Sequence, residues 1–170
     1  MAEVVGVHDG EGGTVRDDGS TVPSVLDGFR SNIDATAEFM AQLPQVHSDP
    51  VHRFAEGLYC RELTMPADTV WLSRVHKHEN FTFVMTGECS VVTEKGLVRI
   101  KAPYFQRTEA GTQRVLHIHE ESTWVTVHAM PDGMTEYTPI EEIEEYFACD
   151  NLDQYDKYLI SELLRLEGTP

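Results

Sequence analysis

The sequence predicts a mainly β domain, a sandwich or barrel, with helical segments before and after it. Three observations carry that reading. Between about residues 48 and 130 the chain breaks into short runs rich in Val, Thr, Phe, Tyr and Trp: GLYCRELTM, TVWLSRVHKH, FTFVMTG, CSVVTEKG, LVRIKAP, TQRVLHIH and STWVTVHAM. Strands of that length at that spacing are the mark of an all-β sandwich or barrel. Turn chemistry separates them: Glu94-Lys95-Gly96 suits a hairpin with glycine in the left-handed region, and Pro103 and Gly111 interrupt strands. On both sides of this region the apolar spacing changes from alternation to a helical period.

Taken in order, residues 1–22 hold Gly6, Gly10, Gly12, Gly13 and Gly19 among scattered acids. Such a stretch buries too little apolar surface to offset its ordering entropy, so it is expected to be an arm. Residues 23–47 are expected to be helical, with Val25, Leu26, Phe29, Ile33, Phe39, Met40 and Leu43 at helical spacing. Asp34 is a candidate N-cap there and Pro44 a stop. The β region spans 48–130. Residues 131–170 form an acidic, helical tail. In it Thr138-Pro139-Ile140-Glu141 reads as a capping box with proline at the first helical position. Ile140, Ile143, Tyr146 and Phe147 give one apolar face. A last helix, about 152 to 166, is expected to bury Tyr155, Tyr158, Leu159, Leu163 and Leu166 and to stop at Gly168.

The chain has 170 residues, 41% hydrophobic and 25% charged, enough for one domain with a real core. Its net charge of −16, from 13 Lys+Arg against 29 Asp+Glu, argues against nucleic-acid binding, because a phosphate backbone would be repelled. No apolar run approaches the roughly 18 residues of a membrane span. The start, MAEVVGVHDGEGG, lacks the basic and apolar regions of a signal peptide, so a cytoplasmic location is expected. Cys60, Cys89 and Cys149 are widely spaced and odd in number, neither a disulfide framework nor a zinc ribbon, and are read as reduced.

The stretch VHKHENFTFVMTG carries the chemistry. His76 and His78 are two residues apart, and on a strand such residues share a face, here with Val70, Leu72 and Arg74. That row is expected to face the barrel interior. Two neutral imidazoles converging there suit Zn²⁺, Fe²⁺, Ni²⁺ or Mn²⁺, whereas the plain structural reading is a pair of hydrogen-bonded histidines at a barrel mouth.

His-x-His followed by Gly87, then the hairpin at Gly96, Pro103 and Gly111, resembles the cupin superfamily over about residues 55 to 130. The resemblance implies a double-stranded β-helix, or jelly-roll barrel, flanked by helices. More narrowly, the His-Lys-His-Glu run, the TEKG hairpin, the APY turn and the VHA ending look like small cupin-like proteins encoded by tailed bacteriophages. Two of the usual cupin ligands are absent here. The first-motif glutamate falls at Asn80, Thr82 or Phe83, and the second-motif histidine falls at Arg114, which cannot become a ligand.

A third ligand is available if β-strands on either side of Glu120-Glu121-Ser122 pair as a hairpin. His119 then lies opposite Thr123, and Arg114 opposite His128. His128 would replace the missing histidine from the neighbouring strand, making a metal set of His76, His78 and His128. A one-residue slip turns it outward instead. His117 and His119 are expected on the opposite, outer face, in a surface or subunit contact. Arg114, if inward, needs a carboxylate such as Glu109 or Glu79, or clamps an anionic ligand; Arg74 raises the same question. Trp71 and Trp124 are read as packing.

Two functions follow as expectations. One is a cupin-like protein with a His-based site for a divalent transition metal (Fe, Zn, Mn or Ni), or for a small polar molecule alone if the metal set is degenerate. The other is a non-catalytic, virion-associated or host-interaction protein that uses the barrel as a scaffold. A homo-oligomer is implied by the resemblance. No Gly-rich phosphate loop supports nucleotide binding.

Overall fold

Successive strands of the barrel are dealt to opposite sheets. The computed structural model describes residues 6–8, 33–93 and 96–167. Strands β4 (Leu58–Met65), β7 (Asn80–Val84), β10 (Tyr104–Thr108) and β12 (Ser122–Ala129) form one sheet, in the order β10-β7-β12-β4, extended by β3 (Val51–Ala55). Strands β5 (Thr69–Leu72), β8 (Glu88–Thr93), β9 (Gly96–Lys101) and β11 (Val115–Glu120) form the other, in the order β5-β11-β8-β9. From β4 to β12, only β8–β9 stays within one sheet as a hairpin, and the other connections leave their sheet; β3–β4 is a second hairpin, at the edge of the first sheet. This is the jelly roll: the strand pattern predicts a sandwich or barrel, and the His-x-His resemblance implies the cupin-type double-stranded β-helix that forms.

The crossing pattern corrects one expectation. β11 and β12 are not a hairpin: β11 pairs with β5 and β8, and β12 with β4 and β7. The short Glu121 connection is a passage from one sheet to the other. Gly87 explains how it fits. Its φ is +83°, and a Cβ there would strike the Glu121 carbonyl and Ser122. The motif glycine is therefore needed both for its backbone angle and for close approach to the β11–β12 passage.

Between the sheets lie Leu63, Met65, Trp71, Val84, Cys89, Val91, Ile100, Leu116, Ile118 and Trp124. Trp71 and Ile118 are fully buried, each contributing roughly 2–3 kcal/mol relative to exposure. A second cluster, Met40, Val70, Val92 and Val115 with Leu43 and Leu72, packs on the outer side of the β5-β11-β8-β9 sheet. It receives Met40 from helix α1 (Ile33–Met40). Val70 and Leu72 thus face outward and Trp71 inward, the reverse of the expected row. The chain leaves strand geometry at Ser73 and Arg74, which resets the alternation before β6 (Val75–His76).

Helix α2 (Ile140–Phe147) closes one end of the barrel with Ile143 and Phe147 packed on Tyr59. Its start differs from the capping box. Pro139 is the N-cap, no side chain caps the helix, and Thr138 Oγ1 instead accepts the Thr135 N–H at 3.0 Å. Next, β13 (Ala148–Cys149) pairs with β6, placing Ala148 opposite His76 and Cys149 opposite Val75. Helix α3 (Leu152–Glu167) turns Tyr155 and Tyr158 toward the body, but Leu159, Leu163 and Leu166 are exposed rather than buried.

Gly6–His8, read from the sequence as part of an arm, forms β1, between β5 and β2 (Gln45–Val46). The rest of residues 1–22, with Val25, Leu26, Phe29 and the Glu94-Lys95 turn, lies outside the described residues. All three cysteines are free, and Cys89 and Cys149 are buried. No helix among the described residues is long and apolar enough to cross a membrane.

Candidate functional site

A cavity of about 110 Å³ runs from the floor of the barrel toward α2. Strand alternation builds its walls. Along β4, Tyr59, Arg61, Leu63 and Met65 point inward; opposite them β12 presents His128 beside Tyr59, Thr126 beside Arg61 and Trp124 beside Leu63. Thr82 of β7 pairs with Thr126. Trp71 and Leu116 complete an apolar floor. Arg74, His76 and Arg114 line the polar end, under Glu144 and Phe147 of α2.

His76 and Arg114 are held by backbone bonds. The Arg114 N–H donates to Ser73 Oγ at 2.9 Å, and the Ser73 N–H donates to the Arg114 carbonyl at 2.9 Å. The His76 N–H donates to the Thr112 carbonyl at 3.0 Å, and its own carbonyl accepts the Gly111 N–H at 2.7 Å.

Three guanidiniums reach this pocket, and they are not equivalent. Arg61 Nε donates to Glu144 Oε1 at 3.0 Å, an ion pair with both side chains largely buried. Arg74 Nε donates to Asp150 Oδ1 at 3.1 Å, and its Nη2 to the Ala148 carbonyl at 3.2 Å. Among the described residues Arg114 has only a neutral partner: Nη2 donates to Thr108 Oγ1 at 3.1 Å. Thr108 Oγ1 is in turn 2.8 Å from Thr82 Oγ1, which donates to Asn80 Oδ1 at 3.1 Å. Of the carboxylates expected for Arg114, Glu79 is bound to Arg107 instead, and no ion pair joins it to Glu109. Burial pulls the Arg114 pKa below its usual value, yet a guanidinium stays charged at any ordinary pH. Arg114 is therefore an inward cation with no counter-ion among the described residues.

His76 and His128 meet in the pocket, ring centroids 6.1 Å apart. His128 arrives there through β12 alternation, not through the hairpin register. Its Nδ1 is buried and has no hydrogen-bond partner among the described residues. Burial, then His128 and the nearby Arg114, Arg61 and Arg74, hold the His76 pKa down at about 3. Burial, then His78 and Arg61, hold that of His128 at about 4. Both rings are neutral at physiological pH.

His78 does not join them. β6 ends at His76, the chain bends at Lys77 and His78, and the rule that alternate residues share a face no longer applies. The His78 ring stacks on Tyr146 at 4.6 Å, and Phe147 packs against both it (6.0 Å) and His128 (4.4 Å). His117 and His119 alternate with the core residues Leu116 and Ile118 and so face away from the pocket, as expected. Their rings are 4.3 Å apart, and His119 Nε2 is 2.7 Å from Ser90 Oγ.

The metal implied by the resemblance does not fit these residues. The pocket offers two imidazoles, His76 and His128, and one carboxylate, Glu144, which Arg61 already engages. Among the described residues no group of three or more His, Cys, Asp or Glu is placed to hold a metal ion. A divalent cation would also stand beside an uncompensated guanidinium, where a like charge is repelled. The chemistry of this donor set favours an anion.

Sequence reasoning reached Arg74, Arg114, His76 and His128 but missed Arg61, Glu144 and Phe147. Arg61 was legible: it interrupts the inward row Tyr59, Leu63, Met65 of an alternating strand. Glu144 and Phe147 were not, because their role depends on where α2 docks.

No protein-family model and no curated protein matches the chain. Among solved structures, an ethanolamine utilization protein Q from Salmonella typhimurium is 11% identical over 49% of this chain and 70% of its own, with a TM-score of 0.42. An acetylacetone dioxygenase from Acinetobacter johnsonii is 17% identical over 53% of this chain and 67% of its own, with a TM-score of 0.39. A cupin-2 domain containing protein from Shewanella frigidimarina is 10% identical over 61% of this chain and all of its own (100%), with a TM-score of 0.42. No residue's role is taken from these likenesses.

Proposed function

We propose that this cupin-like barrel binds a small anionic molecule in its interior, with Arg114 as the anchoring cation and Arg74 beside it at the polar end. One observation carries the reading: among the described residues Arg114 lines the pocket without a carboxylate partner, while the two guanidiniums near it each have one. A buried cation left without a counter-ion costs several kcal/mol in effective terms, roughly the penalty that a bound anion would relieve. His76 and His128, neutral and uncommitted to a metal, are polar lining that contacts the ligand.

Thermal denaturation in sodium salts at constant ionic strength tests this, with elemental analysis of the same protein. Small organic anions raise the melting temperature of the wild type and do so less for Arg114→Gln. Stoichiometric metal in the purified protein, lost in His76→Ala and in His128→Ala, would overturn the reading and restore the metal set of His76, His78 and His128.

A second reading concerns contact with other proteins, and it draws on the outer face of the β10-β7-β12-β4-β3 sheet. Phe105 pairs with Phe83 and Phe83 with Val125; Phe81 pairs with Val127 and Val127 with Cys60. Directly paired residues share a face, so these form one apolar surface, on which Phe105 is 67% and Phe81 51% exposed. Its charges are balanced, Arg107 with Glu79 and Arg53 with Glu62, in a chain whose net charge is −16. Two copies can approach through such a face without the repulsion the rest of the surface imposes. A homo-oligomer through this face is the partner we propose. A virion-associated or host-interaction role would use the same surface.

A further inference from the structure

The pocket's charges are countable, and the count restricts what it can hold. Among the described residues Arg61 is neutralised by Glu144, Arg74 by Asp150, and Arg114 by no carboxylate, so the polar end carries one unmatched positive charge there. The imidazoles of His76 and His128 add none. A ligand with one negative charge leaves the pocket neutral. A dianion leaves a net negative charge against apolar walls, and a neutral molecule leaves the guanidinium uncompensated; both are penalised beside so much apolar surface.

Geometry narrows the anion further. A guanidinium has five N–H donors in a planar fork that matches the two oxygens of a carboxylate. Thr108 occupies one direction of that fork in Arg114, which leaves donors for a two-point contact. The opposite wall offers the ligand no charge at all: Leu63, Trp71, Leu116 and Trp124 form it. The cavity, about 110 Å³, is somewhat smaller than the roughly 150 Å³ engineered cavity that admits benzene. The apolar body of the ligand is therefore small and hydrocarbon, of the size of a short branched aliphatic chain, with a single ring at the upper limit.

Resting on the anion-binding reading above, we infer that the barrel selects a small monocarboxylic acid, its carboxylate on Arg114 and its apolar body against Leu63, Trp71, Leu116 and Trp124. Inorganic phosphate, strongly hydrated and without an apolar body, is disfavoured by the apolar wall, and its dianion by the charge count as well.

Isothermal titration of the full chain tests this with defined probes: isovalerate and benzoate as monoanions, isovaleramide and benzamide as their neutral isosteres, and succinate and inorganic phosphate as multiply charged anions. The expected result is binding of at least one monocarboxylate, with its amide and succinate each weaker by about tenfold or more, the value of one charge-assisted hydrogen bond. Arg114→Gln abolishes that preference. Arg114→Lys, which keeps the charge but not the fork, retains the preference for a single charge at reduced affinity, and it serves should the glutamine variant fail to fold. Succinate or phosphate binding as tightly as the monocarboxylates, and depending on Arg114, would overturn the inferred class while leaving the anion site standing. Absence of any anion binding that depends on Arg114 would overturn both.

Discussion

Acidifying the solution from about pH 7 to about pH 5 will destabilise this protein through two buried histidines. In the folded chain His76 titrates at about 3 and His128 at about 4, against 6.5 for a free imidazole. Below about pH 6.5 the unfolded chain therefore binds protons that the folded chain refuses, so stability rises with pH across that window and falls as pH is lowered. At pH 5 the unfolded imidazole lies about 1.5 units below its pKa, which at 1.36 kcal/mol per unit costs about 2 kcal/mol per histidine. The pair together accounts for about 4 kcal/mol, a large part of the roughly 5–15 kcal/mol that a domain of this kind possesses. Carboxylates contribute little in this window because most titrate below it. The measurement is urea unfolding of the wild type and of His76→Gln/His128→Gln at several pH values, which cancels the shared background. The stability difference between them should shrink by about 4 kcal/mol on going from pH 7 to pH 5. A difference that stays flat would refute the claim that these rings are buried, neutral and unable to take up a proton.

The remaining predictions concern the frame around the pocket. Gly87→Ala forces a side chain into the β11–β12 passage at a φ of +83°, and chemical denaturation should register a loss of about 3 kcal/mol or more, or no folded protein. Glu144→Gln leaves Arg61 without its carboxylate. Stability should drop by about 2–4 kcal/mol, and calorimetry should then find succinate gaining on isovalerate, because two positive charges are unmatched instead of one. Phe105→Glu places a charge on the edge strand of the apolar sheet face; sedimentation should show the proposed homo-oligomer dissociating while the melting temperature of the monomer changes little.

The fold was legible because its signals are local. Alternation and turn residues survive without knowledge of distant contacts and point to a sandwich or barrel; the jelly roll itself was implied only by the cupin resemblance carried by His76, His78 and Gly87. The site was legible only in part. Arg114 and His128, whose inward placement was only conditional in the sequence, do line the cavity, but the hairpin used to connect them does not exist. A strand pair joined by a short link looks the same in sequence whether it turns back within a sheet or crosses to the other one. The row of Val70, Leu72, Arg74 and His76 was expected to be continuous, and the break at Ser73 reversed its first half. His78 escaped the pocket because β6 is two residues long. The α3 leucines illustrate a further limit: helical periodicity identifies an apolar face, but not whether the same chain covers it.

A crystal structure determined in bromide, with anomalous scattering recorded at the bromine edge, tests the central claim most directly, since a halide reports where the protein holds one negative charge. The expected peak lies in the barrel within hydrogen-bond reach of the Arg114 guanidinium, on the side away from Thr108. An anomalous peak from a metal between His76 and His128, with no bromide at Arg114, would contradict the account.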